Sequence, residues 1–247
     1  MTQSMDLGNS IRPLRNVAAL VSLIKRVEGR QFGLPGMATF YGPTGFGKTY
    51  AAIHAAVALD AIHVSIQKMW TKKTLLGAIL RELSIPPAKT MAEMMMQVND
   101  GLARSGRTLI IDEADYAVAR GMIEIIRDFH DGSSMPVILI GMEELPQKLR
   151  AWELVDGRML AWAPAEPADL RDAQLLAQVY AKGIDVDDAL LERIVAQHRG
   201  SVCRISTDLA YVLEQSRLQG VMEMTLDAWG DAPFLRGDAP APRRGLK

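Results

Sequence analysis

Eight consecutive residues, Gly42, Pro43, Thr44, Gly45, Phe46, Gly47, Lys48 and Thr49, concentrate more potential chemistry than any other stretch of this chain. The three glycines permit backbone turns closed to residues bearing a Cβ, so successive N–H groups can converge on an anion at a helix start. Lys48 adds a point charge suited to β- and γ-phosphates, and the Thr49 hydroxyl is a ligand for Mg²⁺. The apolar run Met37 to Tyr41 precedes the loop and a helix-like stretch, Tyr50 to Leu59, follows it. Strand, glycine-rich loop and helix in that order are what a nucleoside triphosphate site requires, which points to ATP with Mg²⁺.

A second set of residues completes that chemistry. The apolar run from Thr108 to Ile111 ends in Asp112, Glu113 and Asp115. Asp112 can orient Mg²⁺ through water, and Glu113 can polarise an attacking water. The chain between Lys48 and Asp112 leaves room for two crossovers, so this strand is expected to return beside the strand that carries the loop. After a further strand, Val137 to Ile140, many ATPases place a polar sensor of the γ-phosphate. Here no Asn, Ser or Thr follows, and Glu143 is the nearest polar side chain.

Positioning these groups takes an alternation of strands and helices. Val17, Leu20, Val21, Ile24 and Val27 recur at helical spacing. Strands are expected over Met37 to Tyr41, Ala61 to Ile66, Thr108 to Asp112, Val137 to Ile140 and Arg158 to Trp162, with helices between them, giving a five-stranded parallel α/β sheet. Thr71 and Thr90 are placed to cap two of those helices. The methionines at 91, 94, 95 and 96 are read as core filling, and the single cysteine, Cys203, as buried. Two prolines between Ala163 and Pro167 mark a boundary. The expected organisation is a mobile segment over 1–10, a nucleotide-binding domain over 11–163, a small all-helical lid over 168–230 and a disordered tail over 231–247.

Composition narrows the class. Hydrophobic residues at 49% and charged residues at 23% suit a globular chain and exclude wholesale disorder. A net charge of −1 means that any DNA contact must come from a local patch or from many subunits side by side. No apolar run reaches the length of a membrane span, and one cysteine without sequence partners fits a reducing, cytoplasmic setting.

With both signatures, five strands and a helical lid, the sequence resembles the AAA+ ATPases. The stretch from Trp70 and Thr71 to Leu83, the strand end Ile110 to Asp115 and the segment Ile138 to Leu145 look like the DNA-transposition ATPases of the phage Mu B, TnsC and TniB kind. The resemblance covers about residues 10 to 220. Mu B carries an N-terminal DNA-binding domain ahead of its ATPase, whereas this sequence starts almost directly at the ATPase.

The resemblance implies further roles. Arg158, just ahead of the fifth strand, is where such ATPases present an arginine finger to a neighbour's nucleotide, with Arg150 as the rival. Arg204 matches the sensor arginine that begins the third lid helix. Lys68, Thr71, Lys72 and Lys73 sit where the family contacts the DNA backbone. Taken by themselves they form a basic patch able to donate to phosphates without reading bases.

The implied function is ATP-dependent, non-sequence-specific binding of double-stranded DNA by a ring or filament of copies, which recruits or activates a transposase. A helicase-loader or clamp-type ATPase acting on a protein partner is the alternative. A nucleotide-switched signalling module with negligible turnover is a third possibility.

Overall fold

The computed structural model describes residues 14–235. The expected mobile segment 1–10, and residues 236–247 of the expected tail, lie outside that range.

The first unit begins with α1 (Arg15–Glu28), an amphipathic helix that buries Val17, Leu20, Leu23, Ile24 and Val27. Then follow β1 (Met37–Tyr41), α2 (Lys48–Ala58), β2 (Ile62–Ser65), α3 (Lys72–Glu82), α4 (Met91–Ser105), β3 (Leu109–Asp112), α5 (Ala114–Ala119), α6 (Ile123–Ser133), β4 (Val137–Gly141), α7 (Leu145–Arg150), α8 (Glu153–Asp156) and β5 (Met159–Pro164). The five strands form one parallel sheet in the order β2-β3-β4-β1-β5. β3 and β4 are buried along their whole length, as strands covered by helices on both faces must be.

One expectation of placement is corrected by this order. β3 does not return beside β1, because β4 lies between them. Crossover length allows either arrangement, and the uniformly apolar β4 takes the central place. Register nevertheless keeps the chemistry level. Ile111 lies opposite Leu139, which lies opposite Thr39, so Asp112 ends its strand at the height where β1 enters the loop.

Local signals set the helix ends. Thr71 caps α3 by accepting from the Thr74 N–H, and Thr90 with Glu93 forms a capping box on α4. Of the four methionines read as core, Met94 is buried, whereas Met91 and Met96 are exposed.

The described residues divide into two compact units after Glu166. The second contains α9 (Leu170–Tyr180), β6 (Asp185–Val186), α10 (Asp188–Gln197), α11 (Val202–Gln219), β7 (Glu223–Met224) and α12 (Leu226–Trp229). Its helices pack around Ala173, Leu176, Leu190, Ile194, Ile205, Leu209 and Val212. Beyond the three expected helices it holds a parallel pairing of β6 with β7, too short to leave a sequence pattern. A buried hydrogen bond joins His198 Nε2 to Asp208 Oδ2. Cys203, expected to be buried, is exposed, because the apolar face of α11 passes through Ile205, Leu209 and Val212 instead.

Candidate nucleotide site

The turn between β1 and α2 follows from its glycines. Gly45 and Gly47 take φ values of 90° and 79°, where a side chain would be strained. Gly47 precedes α2 and no side chain caps that helix, so its first N–H groups remain available to an anion. Gly42 is small for another reason: a Cβ there would come within 3.1 Å of the Ala165 Cβ just past β5.

Behind the loop stands Asn16, which sequence reasoning missed. It is 3% exposed. Its Nδ2 donates to the Phe46 and Glu166 carbonyls at 2.8 Å each, and its Oδ1 accepts from the Glu166 N–H at 2.9 Å. One buried amide thus fastens the loop to the last residue of the first unit. The only signal in the sequence is a polar residue beside Val17 at the edge of an apolar stripe.

Lys48 Nζ donates to the carbonyls of Gly42 at 2.7 Å and Pro43 at 2.8 Å, folding the ammonium over the loop. Burial lowers its pKa, while Asp112, Glu113 and Asp115 pull it back up.

Asp112 is 2% exposed. Its Oδ1 accepts from the Glu113 N–H at 2.8 Å, but its Oδ2 has no hydrogen-bond partner. His63 Nε2 lies 3.9 Å from that oxygen, beyond hydrogen-bonding reach, and is itself unpartnered. Burial pushes the Asp112 carboxyl up, yet the His63 ring, the Thr49 hydroxyl and the Glu113 amide together hold it below the usual carboxylate range. A buried carboxylate oxygen without a donor, beside a hydroxyl, suits a hard dication. Mg²⁺ needs few protein ligands because it keeps water and phosphate oxygens, so Thr49 and Asp112 fit it. No cluster of three or more His, Cys, Asp or Glu among the described residues offers another metal site.

Glu113 occupies the left-handed region at φ 56° and ψ 39°. For a residue with a Cβ this costs about 1 to 3 kcal/mol, a type of strain that clusters at functional sites. Burial raises its carboxyl, Asp112 and Asp115 add to the rise, and Lys48 opposes it. A raised carboxylate is a better proton acceptor.

The third acid has a different task. Asp115 Oδ2 accepts from the Met142 N–H at 2.6 Å and Oδ1 from Lys148 Nζ at 3.0 Å, tying the start of α5 to the end of β4. At the expected sensor position, Met142 receives the Thr44 hydroxyl on its sulfur at 3.4 Å, while Glu143 is exposed.

Arg158 lies at the other end of the sheet. Its carbonyl accepts from the Met37 N–H at 2.9 Å, so it stands where β1 begins, whereas the loop follows where β1 ends. A five-residue strand separates them by about 16 Å. Arg158 is therefore out of reach of its own loop. It forks onto Asp131, Nε to Oδ1 at 2.7 Å and Nη2 to Oδ2 at 3.3 Å. Arg150 is exposed at the end of α7, and Arg204 is exposed in the first turn of α11 in the second unit.

The basic patch is partly spent on local structure. Lys68 and Lys72 are exposed, but Lys73 Nζ reaches the Lys89 carbonyl at 3.3 Å. The Thr71 hydroxyl accepts from the Thr74 N–H and shares a 2.9 Å hydrogen bond with the Thr74 hydroxyl. The fold adds a cation from elsewhere: Arg120 Nη2 lies 3.8 Å from the sulfur of the exposed Met69.

Fold and site together define a P-loop α/β domain of the AAA+ type. Residues 33–149, just under half of the chain, match the family model described as AAA domain. No curated protein matches the sequence. Among solved structures, the ORC2 protein of Aeropyrum pernix in ADPNP–ADP complexes superposes with a TM-score of 0.66 at 17% identity, covering 86% of this chain and 65% of that one. The ORC1 protein of the same organism, in complex with DNA, gives 0.60 at 19%, covering 87% and 63%. The RuvB Holliday junction branch migration motor of Thermotoga maritima gives 0.57 at 20%, covering 86% and 66%. The chain spans less than two thirds of each of these structures, and at such identities they establish its fold.

Proposed function

We propose that this protein hydrolyses ATP with Mg²⁺, as an assembly of copies bound to the backbone of double-stranded DNA, and that the assembly engages a transposase in the cytoplasm. The observation that carries the reading is the convergence of Lys48, the unpartnered Oδ2 of Asp112 and the strained Glu113 at the C-terminal end of one sheet. In this reading residues 11–163 bind the nucleotide and 168–230 form the lid.

Each group has a distinct part. The turn from Gly42 to Gly47 and the start of α2 hold the phosphates by backbone N–H groups. Lys48 leaves the Gly42 and Pro43 carbonyls to meet the β- and γ-phosphates. Thr49 and Asp112 would hold Mg²⁺, which when bound neutralises charge on the phosphates. Glu113 accepts a proton from the water that attacks the γ-phosphorus, and ADP leaves with its oxygen. Arg158 meets the charge developing on a neighbouring copy's γ-phosphate, a contribution of about 10³-fold or more in such enzymes. Arg204 is proposed as the sensor arginine for the γ-phosphate.

DNA binding is supported by the exposed Lys68 and Lys72 and by the likeness to a structure solved in complex with DNA. Electron microscopy with an ATP analogue and duplex DNA tests the reading. Rings or filaments on the duplex are expected; isolated monomers with no DNA retention at low salt would remove it.

A second reading, a loader or clamp-type ATPase acting on a protein partner, is favoured by one observation. Thr71 and Lys73 are already engaged within the protein. Turnover stimulated by a protein and indifferent to DNA would select it.

A further inference from the structure

At the N-terminal edge of the sheet, Arg30, Phe32, Leu34, His130, Asp131 and Arg158 line a cavity of about 530 Å³. Phe32 at its rim is fully exposed. Gly36 makes room for the lining, since a Cβ there would run into the His130 ring and come within 2.7 Å of Arg30 Cζ. Arg30 is built into the wall, donating to the Val27 carbonyl at 2.9 Å and the Ser134 carbonyl at 2.6 Å.

Arg158 is held by a different kind of contact. Its partner is a carboxylate, Asp131, and both side chains of the pair are well exposed, at 43% and 36%. Ion pairs of that exposure contribute little and exchange readily. Asp131 also faces Arg127, whose Nε lies 3.6 Å from its Oδ2. If Arg158 leaves, Asp131 keeps a cationic neighbour, so the exchange strands no charge. A terminal phosphate offers a guanidinium more charge and more acceptor oxygens than one carboxylate.

We propose that this cavity receives the triphosphate bound to a second copy of the chain, and that Asp131 restrains Arg158 until that triphosphate displaces it. Asp131 then sets the protein concentration at which turnover begins. The inference rests on the reading of Arg158 as a group acting in trans. Charge complementarity supports the occupant: Arg30 and Arg158 outnumber Asp131 in the cavity, while the loop face that would meet it presents the triphosphate and the partly buried Glu113 carboxylate.

Turnover per protomer, measured over a series of concentrations for the parent, Asp131→Asn, Asp131→Ser and Arg158→Ala, tests the proposal, with ATP binding and melting followed in the same samples. Both Asp131 variants should reach half-maximal turnover at about two- to fivefold lower concentration than the parent. Arg158→Ala should bind ATP and show little turnover at any concentration. A half-point unchanged or raised in folded Asp131 variants overturns the restraint, a raised one making Asp131 a group that orients Arg158. Parental turnover that is absent or independent of concentration, or that survives in Arg158→Ala, removes the trans reading and the proposal with it.

Discussion

Glu113 combines a left-handed backbone, a partly buried carboxyl and two acidic neighbours. Each of these raises the free energy of the folded, ionised residue. Glu113→Gln keeps the shape and removes the charge, so it should bind ATP nearly as the parent does, melt no earlier, and turn over about 10²-fold or more slowly. Equal turnover would show that Glu113 is no base. The pKa values of the two adjacent acids are displaced in opposite directions. Because the Glu113 pKa is raised, its carboxylate is protonated as pH falls through a value above the ordinary one of about 4.3, and the base is lost there. Asp112 is depressed, so the stability it contributes is fully present above about pH 3.9 and is lost only as pH falls through its lower folded value. Turnover should therefore decline with acid while far-UV circular dichroism stays constant. A decline that Glu113→Gln reproduces unchanged would contradict this.

At the scale of elements, the end of β4 is where strand, site and helix meet. Asp115 reaches the Met142 N–H only because Gly141 has no side chain; a Cβ would collide with the Asp115 carboxylate and come 2.6 Å from Leu145 Cδ2. Gly141→Ala should destabilise the protein by about 1 to 3 kcal/mol, read by denaturant unfolding, with the Asp115 tie broken. The three central strands were legible because strands buried on both faces must be apolar runs, and Met37 to Tyr41, Leu109 to Ile111 and Val137 to Ile140 are such runs. Their spatial order was not legible. The apolarity of β4 suits a central place but does not by itself say that β4 slots between β1 and β3, since pairing is decided by how all the crossovers pack. The phosphate loop and the acidic strand end were readable because each is contiguous. Asn16, His63 and Asp131 were not, because the groups they face, at Phe46 and Glu166, Asp112, and Arg158, are brought to them only by the fold.

For the whole molecule, a net charge of −1 makes one copy a weak DNA ligand, so in the proposed reading affinity comes from repetition of the patch around Lys68 and Lys72. Lys72→Glu combined with Lys73→Glu should weaken DNA retention about tenfold or more at low salt and flatten its salt dependence, while ATP binding by isolated protein is unchanged. Retention equal to the parent's would favour the protein-partner reading. In the proposed assembly the nucleotide site is completed between copies, since Arg158 stands a strand's length from its own loop. Mixing Lys48→Ala protomers with Arg158→Ala protomers tests this most directly. Each alone should be nearly inactive, one lacking the phosphate-binding lysine and the other the arginine given to a neighbour. In an equal mixture, about a quarter of the interfaces pair an intact loop with an intact arginine, so turnover should return to about that fraction of the parent's. A folded mixture that stays inactive would contradict a site completed between copies.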